Sequence, residues 1–158
     1  MSEPTAIALE VNGAVHRLLV QPWHTLLHVL RDEIGLTGAK RGCNQGVCGA
    51  CSVLIDGEVM RACLSLAVNC TGREITTIEG LAPAGELSPV QQAFLDAGAV
   101  QCGFCMPGMI IASTALLRRH PALSDDDIRD GLSGNLCRCS GYVKVIEAVR
   151  AARGREAS

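Results

Sequence analysis

The period of the hydrophobic positions changes partway along the chain. Near the start they alternate: Ile7, Leu9 and Val11 are separated by small or polar residues. Asn12-Gly13 then gives the signal of a tight hairpin turn, and a second strand continues from Val15 to Val20, setting His16 opposite Leu9. Over 23–34 the spacing becomes helical, with Leu26, Leu27, Leu30 and Ile34 on one face and Gly35 as the stop. Strands over 52–55 and 58–63 flank Asp56-Gly57, a second hairpin, and 74–78 reads as a last strand. Residues 80–87 are small, contain Pro and Gly and carry no pattern, so a linker is expected there. Beyond it the period is helical throughout. Ser88 and Gln91 make a capping box with Pro89 at the first helical position. Pro107 opens a second helix running to His120, Ser124 caps a third with Asp125 to Asp127 in its first turn, and 143–153 makes a fourth. The pattern predicts an α+β chain with a β-rich unit over 1–79 and an all-helical unit over 88–158.

Composition narrows the function. The chain has 158 residues, with 14 Lys and Arg against 16 Asp and Glu. A formal net charge of −2 leaves no electrostatic footprint for nucleic acid, and aromatics at 3% exclude a base-stacking platform. Apolar residues at 48% and charged residues at 19% are enough for a packed core. The segment 97–117 has spanning length and no charge. It also holds Gln101, Cys102, Cys105, Pro107 and three glycines, which fits a buried loop and core helix better than a membrane span. Glu3 precedes any basic residue, and neither a long apolar run nor a twin-Arg pair stands near the start, so no signal peptide is read and a cytoplasmic protein is expected. Nine cysteines are too few for a disulfide scaffold and odd in number. In a reducing compartment, clustered thiols point to metal.

Two cysteine sets stand out. The first is Cys43-x4-Cys48-x2-Cys51, then eleven residues to Cys63. The x4, x2 spacing is that of a plant-type 2Fe–2S loop. Gly42, Gly46 and Gly49 let such a loop bend and aim N–H groups at the sulfurs. The second hairpin brings Cys63 alongside Cys51. Strict alternation would put those thiols on opposite faces, so Cys51 must lie off the ladder. A zinc site or plain buried thiols is the competing reading. The second set is Cys102-x2-Cys105, then 31 residues to Cys137-x1-Cys139. Taken alone it admits one tetrahedral zinc, a thiol–disulfide centre or a second 2Fe–2S cluster, and beside a first cluster site the second cluster is favoured. None of the four histidines lies within these motifs, which argues against a Rieske-type site.

Three segments in order, TGAKRGCNQGVCGACSV, AVQCGFCMPGMI and SGNLCRCSGY, resemble the small iron–sulfur subunit of the molybdenum hydroxylase family, which includes xanthine dehydrogenase, aldehyde oxidoreductase and carbon monoxide dehydrogenase. The resemblance covers nearly the whole chain. It implies an N-terminal β-grasp, plant-ferredoxin-like domain and a C-terminal four-helix domain, each with one 2Fe–2S cluster, ligated by Cys43, Cys48, Cys51 and Cys63 and by Cys102, Cys105, Cys137 and Cys139. It implies a large molybdopterin-binding partner subunit and usually a medium FAD-binding one. Electrons would pass from molybdenum through the helical-domain cluster and then the N-terminal cluster to flavin or another acceptor. Gln101 and Cys139 match the positions that lie against the pterin in that family. The apolar flanks Ala99, Val100 and Cys102 make a partner for the Gln101 amide necessary.

The remaining residues carry plainer expectations. Lys40, Arg41 and Arg138 flank ligands and are candidates to offset cluster charge. Cys70 reads as a buried structural thiol and Trp23 as packing. Arg150, Arg153 and Arg155 read as a solvated tail. No GxGxxG, P-loop or HExxH is present, so the chain carries no substrate site of its own. The alternatives to an electron-transfer subunit are a free-standing two-cluster ferredoxin and a zinc or thiol-redox module.

Overall fold

A computed structural model of the chain describes residues 3–120 and 122–153. Arg155, from the expected tail, lies outside them. Strands β1 (Thr5–Val11) and β2 (Ala14–Val20) form the first hairpin, with Leu9 opposite His16. Strands β3 (Ser52–Ile55) and β4 (Glu58–Arg61) form the second. Both turns have φ above zero at their two central residues, Asn12 (52°) and Gly13 (78°), Asp56 (52°) and Gly57 (80°), as a type I′ turn requires. Strand β5 (Glu74–Thr76) completes a mixed sheet of order β2-β1-β5-β3-β4, in which β1 and β5 run parallel and the other neighbours antiparallel.

Three expected elements are shorter than their patterns. The helix expected over 23–34 is α1 (Leu26–His28), capped by the Thr25 hydroxyl and followed by a π-helical turn over Val29–Glu33. The fourth strand stops at Arg61 because the Arg61 carbonyl is taken by the Leu64 amide in a turn, with Leu64 N to Arg61 O at 2.9 Å. The last strand stops at Thr76, and a 3₁₀ turn follows over Ile78–Gly80. Periodicity marked the apolar face in each case, while backbone hydrogen bonding set the boundary.

Beyond residue 88 come α2 (Pro89–Asp96), α3 (Met106–Arg119), α4 (Asp125–Leu132) and α5 (Val143–Ala152). The capping boxes at Ser88/Gln91 and Ser124/Asp127 are both formed. Arg150 and Arg153 are not a solvated tail: both pair with Asp125 at the start of α4. Among the described residues, no helix is long and apolar enough to cross a membrane. The segment 97–117 is instead the loop and core helix α3, with ten of its residues from Met106 to Leu117 buried.

One hydrophobic core lies between the sheet and the α1 segment, with Leu26, Leu27, Val29 and Leu30 against Leu9, Val11, Val53 and Ile75. A second holds α2 to α5 together around Phe94, Met109, Ile128 and Val149. Strand β3 is buried on both faces and joins them, because Leu54 points the other way, onto Ile111 and Ala115 of α3. Polar contacts reinforce this seam. Arg61 donates to Ser52 Oγ at 2.5 Å and to the Gly134 carbonyl at 2.7 Å. Asn135, buried at 4% exposure, donates to the Gly49 carbonyl at 3.1 Å and to Ser52 Oγ at 3.3 Å. A Cβ on Gly108 would come within 2.2 Å of the Gly49 carbonyl oxygen, so only glycine lets α3 approach so closely. Asn135→Ala removes one donor from the Gly49 carbonyl, which keeps the Ser52 amide and hydroxyl, so the cost is that of a lost hydrogen bond, about 0.5–1.5 kcal/mol. Thermal unfolding is expected roughly 1–6 °C lower, and an unchanged midpoint would show that the seam does not depend on this amide.

Candidate metal centres

The first loop runs from the end of the α1 segment to β3. It is built from turns, and most of residues 41–49 are exposed or half-buried. Gly46 and Gly49 have φ of 80° and 73°, and this folds the chain back on itself. The amides of Val47 and Cys48 both donate to Cys43 Sγ at 3.3 Å, and the Cys43 amide donates to Cys48 Sγ at 3.4 Å. Amides of Cys48 and Gln45 are the main reason that the Cys43 thiol titrates at about 6, well below an ordinary cysteine. Cys51 lies just before β3, off the ladder as expected, and its thiol meets that of Cys63. Both are buried, and burial pushes the Cys51 thiol up to about 11. Thiols at the four positions thus fall into two touching pairs, Cys43 with Cys48 and Cys51 with Cys63.

The second group sits where two loops meet. Cys102 and Cys105 precede α3, and Cys137 and Cys139 precede α5. Sγ of Cys139 lies 3.7 Å from Sγ of Cys102. Cys105 interacts with Cys137, and burial, then that neighbour, pushes Cys105 up to about 12. Burial also opposes ionisation of Cys137, but the hydroxyl and amide of Ser140, with the Cys105 thiol and the Cys139 amide, together outweigh it and bring this thiol to about 7. The Ser140 amide lies 3.3 Å from Cys137 Sγ. Again there are two pairs, Cys102 with Cys139 and Cys105 with Cys137.

This pairing separates zinc from a binuclear cluster. A tetrahedral zinc with bonds of about 2.3 Å keeps its four sulfurs about 3.8 Å from one another. Among the described residues, no three thiols have sulfurs all within 4.8 Å. Two irons bridged by sulfide divide four thiolates into two pairs, and that is the division found at both sites. The donor set fits as well, since an all-cysteine set with N–H groups on the sulfurs is what a 2Fe–2S cluster takes. Cys70 belongs to neither group: it is buried and donates to the Leu66 carbonyl at 3.4 Å.

Two of the expected cationic neighbours are engaged elsewhere: Arg41 pairs with Asp32 at 2.8 Å and the Lys40 ammonium donates to the Thr37 carbonyl, while Arg138 is exposed. Among the described residues, backbone amides donate to the Cys43, Cys48 and Cys137 sulfurs. Gln101 is exposed rather than enclosed, and its amide donates to the Cys139 carbonyl at 3.2 Å. The apolar letters around it misled, because Val100 and Cys102 lie at the surface too. Two contributors were missed by motif reasoning. The Tyr142 hydroxyl accepts from the Cys137 amide at 2.8 Å and faces the Asn135 carbonyl at 3.4 Å, which pins the CxC loop to the start of α5. Tyr142 also holds φ at 67°, a costly conformation for a bulky residue. The other is Leu136, whose amide donates to the Cys48 carbonyl at 2.9 Å and so links the two loops directly.

Fold and thiols together define an iron–sulfur protein with two cluster sites. Comparison with known proteins agrees. The 2Fe-2S iron-sulfur cluster binding domain family matches residues 11–94 and the [2Fe-2S] binding domain family matches residues 77–150. The xanthine dehydrogenase iron-sulfur-binding subunit of Escherichia coli O157:H7 is 48% identical over 150 residues, covering 94% of each chain. Quinoline 2-oxidoreductase from Pseudomonas putida 86 superposes with a TM-score of 0.91 at 43% identity, covering 98% of this chain and 99% of that one. Aldehyde oxidoreductase from Desulfovibrio desulfuricans ATCC 27774 gives a TM-score of 0.90 at 43% identity, and there the match covers 94% of this chain but only 17% of the other. The chain belongs to the small iron–sulfur subunits of the molybdenum hydroxylase, or xanthine dehydrogenase, family.

Proposed function

We propose that the chain conducts electrons between two 2Fe–2S clusters within a larger molybdenum hydroxylase, with Cys43, Cys48, Cys51 and Cys63 as one ligand set and Cys102, Cys105, Cys137 and Cys139 as the other. When bound, each cluster supplies a one-electron carrier. The chain's own residues hold the thiolates in pairs and place amide hydrogens on the sulfurs, which tolerates added negative charge. The observation that carries the reading is the Leu136 amide on the Cys48 carbonyl. Cys48 is in one group and Leu136 adjoins Cys137 of the other, so a single hydrogen bond connects the two sets through the backbone.

The finer parts of the reading follow the family. A plant-ferredoxin-like β-grasp domain over 1–79 and a four-helix domain over 88–158, with 80–87 between, suit the separate hydrophobic cores. A large molybdopterin-binding subunit is the first partner, in keeping with the small share of the aldehyde oxidoreductase chain that this one spans. A medium FAD-binding subunit is the expected acceptor, and free cysteines suit the cytoplasm. Gln101 and Cys139, joined by a hydrogen bond on an exposed edge, form the contact to the pterin. The Gln101 amide nitrogen stays on the Cys139 carbonyl and its oxygen is the group offered to the pterin.

In the assembled complex, Gln101→Ala is expected to keep both cluster EPR signals. It slows substrate-driven cluster reduction, or weakens association with the large subunit by about 1–3 kcal/mol. Stopped-flow reduction and complex stability that both match the unaltered protein would remove Gln101 from the contact.

A further inference from the structure

The segment after β2 carries a second kind of donor set, remote in chemistry from the thiols. His24 stands just before the Thr25 cap of α1, and His28 ends that helix. Their ring centroids are 4.1 Å apart. The turn that follows is π-helical, with the Ile34 amide reaching back five residues to the Val29 carbonyl at 3.0 Å. In an α-helix, residues five apart diverge around the axis. The wider π turn brings Glu33 back toward the side of His28, so that Oε1 of Glu33 lies 3.6 Å from Nε2 of His28. One ligand atom each from His24, His28 and Glu33 lies within 4.8 Å of the others, the only such trio among the described residues.

The hydrogen bonds around His28 leave that trio incomplete. Nδ1 of His28 is 2.8 Å from Asp32 Oδ2, which assigns its proton to Nδ1. Asp32 is itself held by Arg41 at 2.8 Å. In the neutral ring, Nε2 then turns a lone pair toward the Glu33 carboxylate, at a distance too long for a hydrogen bond. Lone pair facing lone pair is unfavourable, and a cation between them satisfies both. Nitrogen and oxygen ligands at about 2.0–2.2 Å in a tetrahedral shell stand roughly 3.4 Å apart, so the 3.6 Å observed needs little adjustment. A carboxylate holding the far nitrogen of an imidazole is the support that metal-bound histidines commonly have. Nδ1 of His24 is buried and has no hydrogen-bond partner, so that ring also has an unmet polar atom.

We propose that His24, His28 and Glu33 form a surface site for a divalent transition ion of the zinc class. Asp32 acts as its positioning residue and water completes the shell. Two imidazoles and a carboxylate are a borderline donor set that suits zinc and not calcium or magnesium. A bound ion cross-links the start of α1 to the end of the π turn.

The test uses the iron-loaded chain, dialysed against zinc chloride, with zinc and iron measured together by mass spectrometry. One zinc per chain is expected, with iron content and cluster absorbance unchanged. His28→Gln and Glu33→Gln are expected to abolish saturable uptake, and Asp32→Asn to weaken it about 10- to 100-fold. His16→Gln, on β2, is expected to leave it intact. The proposal is overturned by no saturable uptake up to about 100 µM zinc. Zinc that enters only as iron leaves, or uptake retained in both His28→Gln and Glu33→Gln, overturns it equally.

Discussion

Serine at Cys51 is expected to remove one of the two cluster EPR signals and half of the iron, while the other signal is unchanged. Cys51 and Cys63 form the buried side of the first site, at 3% and 5% exposure. A free thiol there is held protonated by burial, so the position suits a sulfur whose charge is shared with metal. A serine hydroxyl ionises far less readily and is a poorer ligand for iron. Cys63→Ser is expected to act alike. Cys102→Ser or Cys137→Ser should erase the other signal, because the two groups share no thiol. Cys70→Ser should leave both signals, since that thiol bonds only the Leu66 carbonyl. Loss of a whole signal on changing Cys70 would show that the ligand sets are misassigned.

Reductive removal of iron is expected to lower the thermal midpoint by at least about 10 °C and to collapse the amide dispersion of residues 41–49 and the CxC loop. Those residues contribute little apolar burial of their own. Turns, a few amide-to-sulfur bonds, the Leu136 link and single hydrogen bonds from Asn135, Gln101 and Tyr142 order them. Without metal the same bonds become a liability. Amides on Cys43 and the Ser140 hydroxyl and amide on Cys137 hold both thiols below the ordinary cysteine range, which favours a charge beside other sulfurs. A metal-free chain with a well-dispersed spectrum and an unchanged midpoint would contradict this dependence.

Much of the molecule was legible in local signals. Asn12-Gly13 and Asp56-Gly57 demanded positive φ and so declared two hairpins with their register. Ser88/Gln91 and Ser124/Asp127 declared helix starts because a cap is a local hydrogen bond between near neighbours. The x4, x2 spacing with its glycines declared a cluster loop, since the geometry of three ligands in one loop is also local. The π turn was not legible, because an apolar face at helical spacing reads alike for an α-helix and for one with an inserted residue. Nor was the fate of the charged residues. Arg41, Arg150 and Arg153 found carboxylates brought near by the fold, which no spacing along the chain could announce. Sequence alone determined the two cysteine groups proposed as cluster ligands and the elements that carry them. Only the tertiary structure decided how the thiols pair, that Gln101 lies exposed on Cys139, and that a Leu136 amide joins the two loops. These are contacts between segments tens of residues apart, and they depend on how β3 and α3 pack.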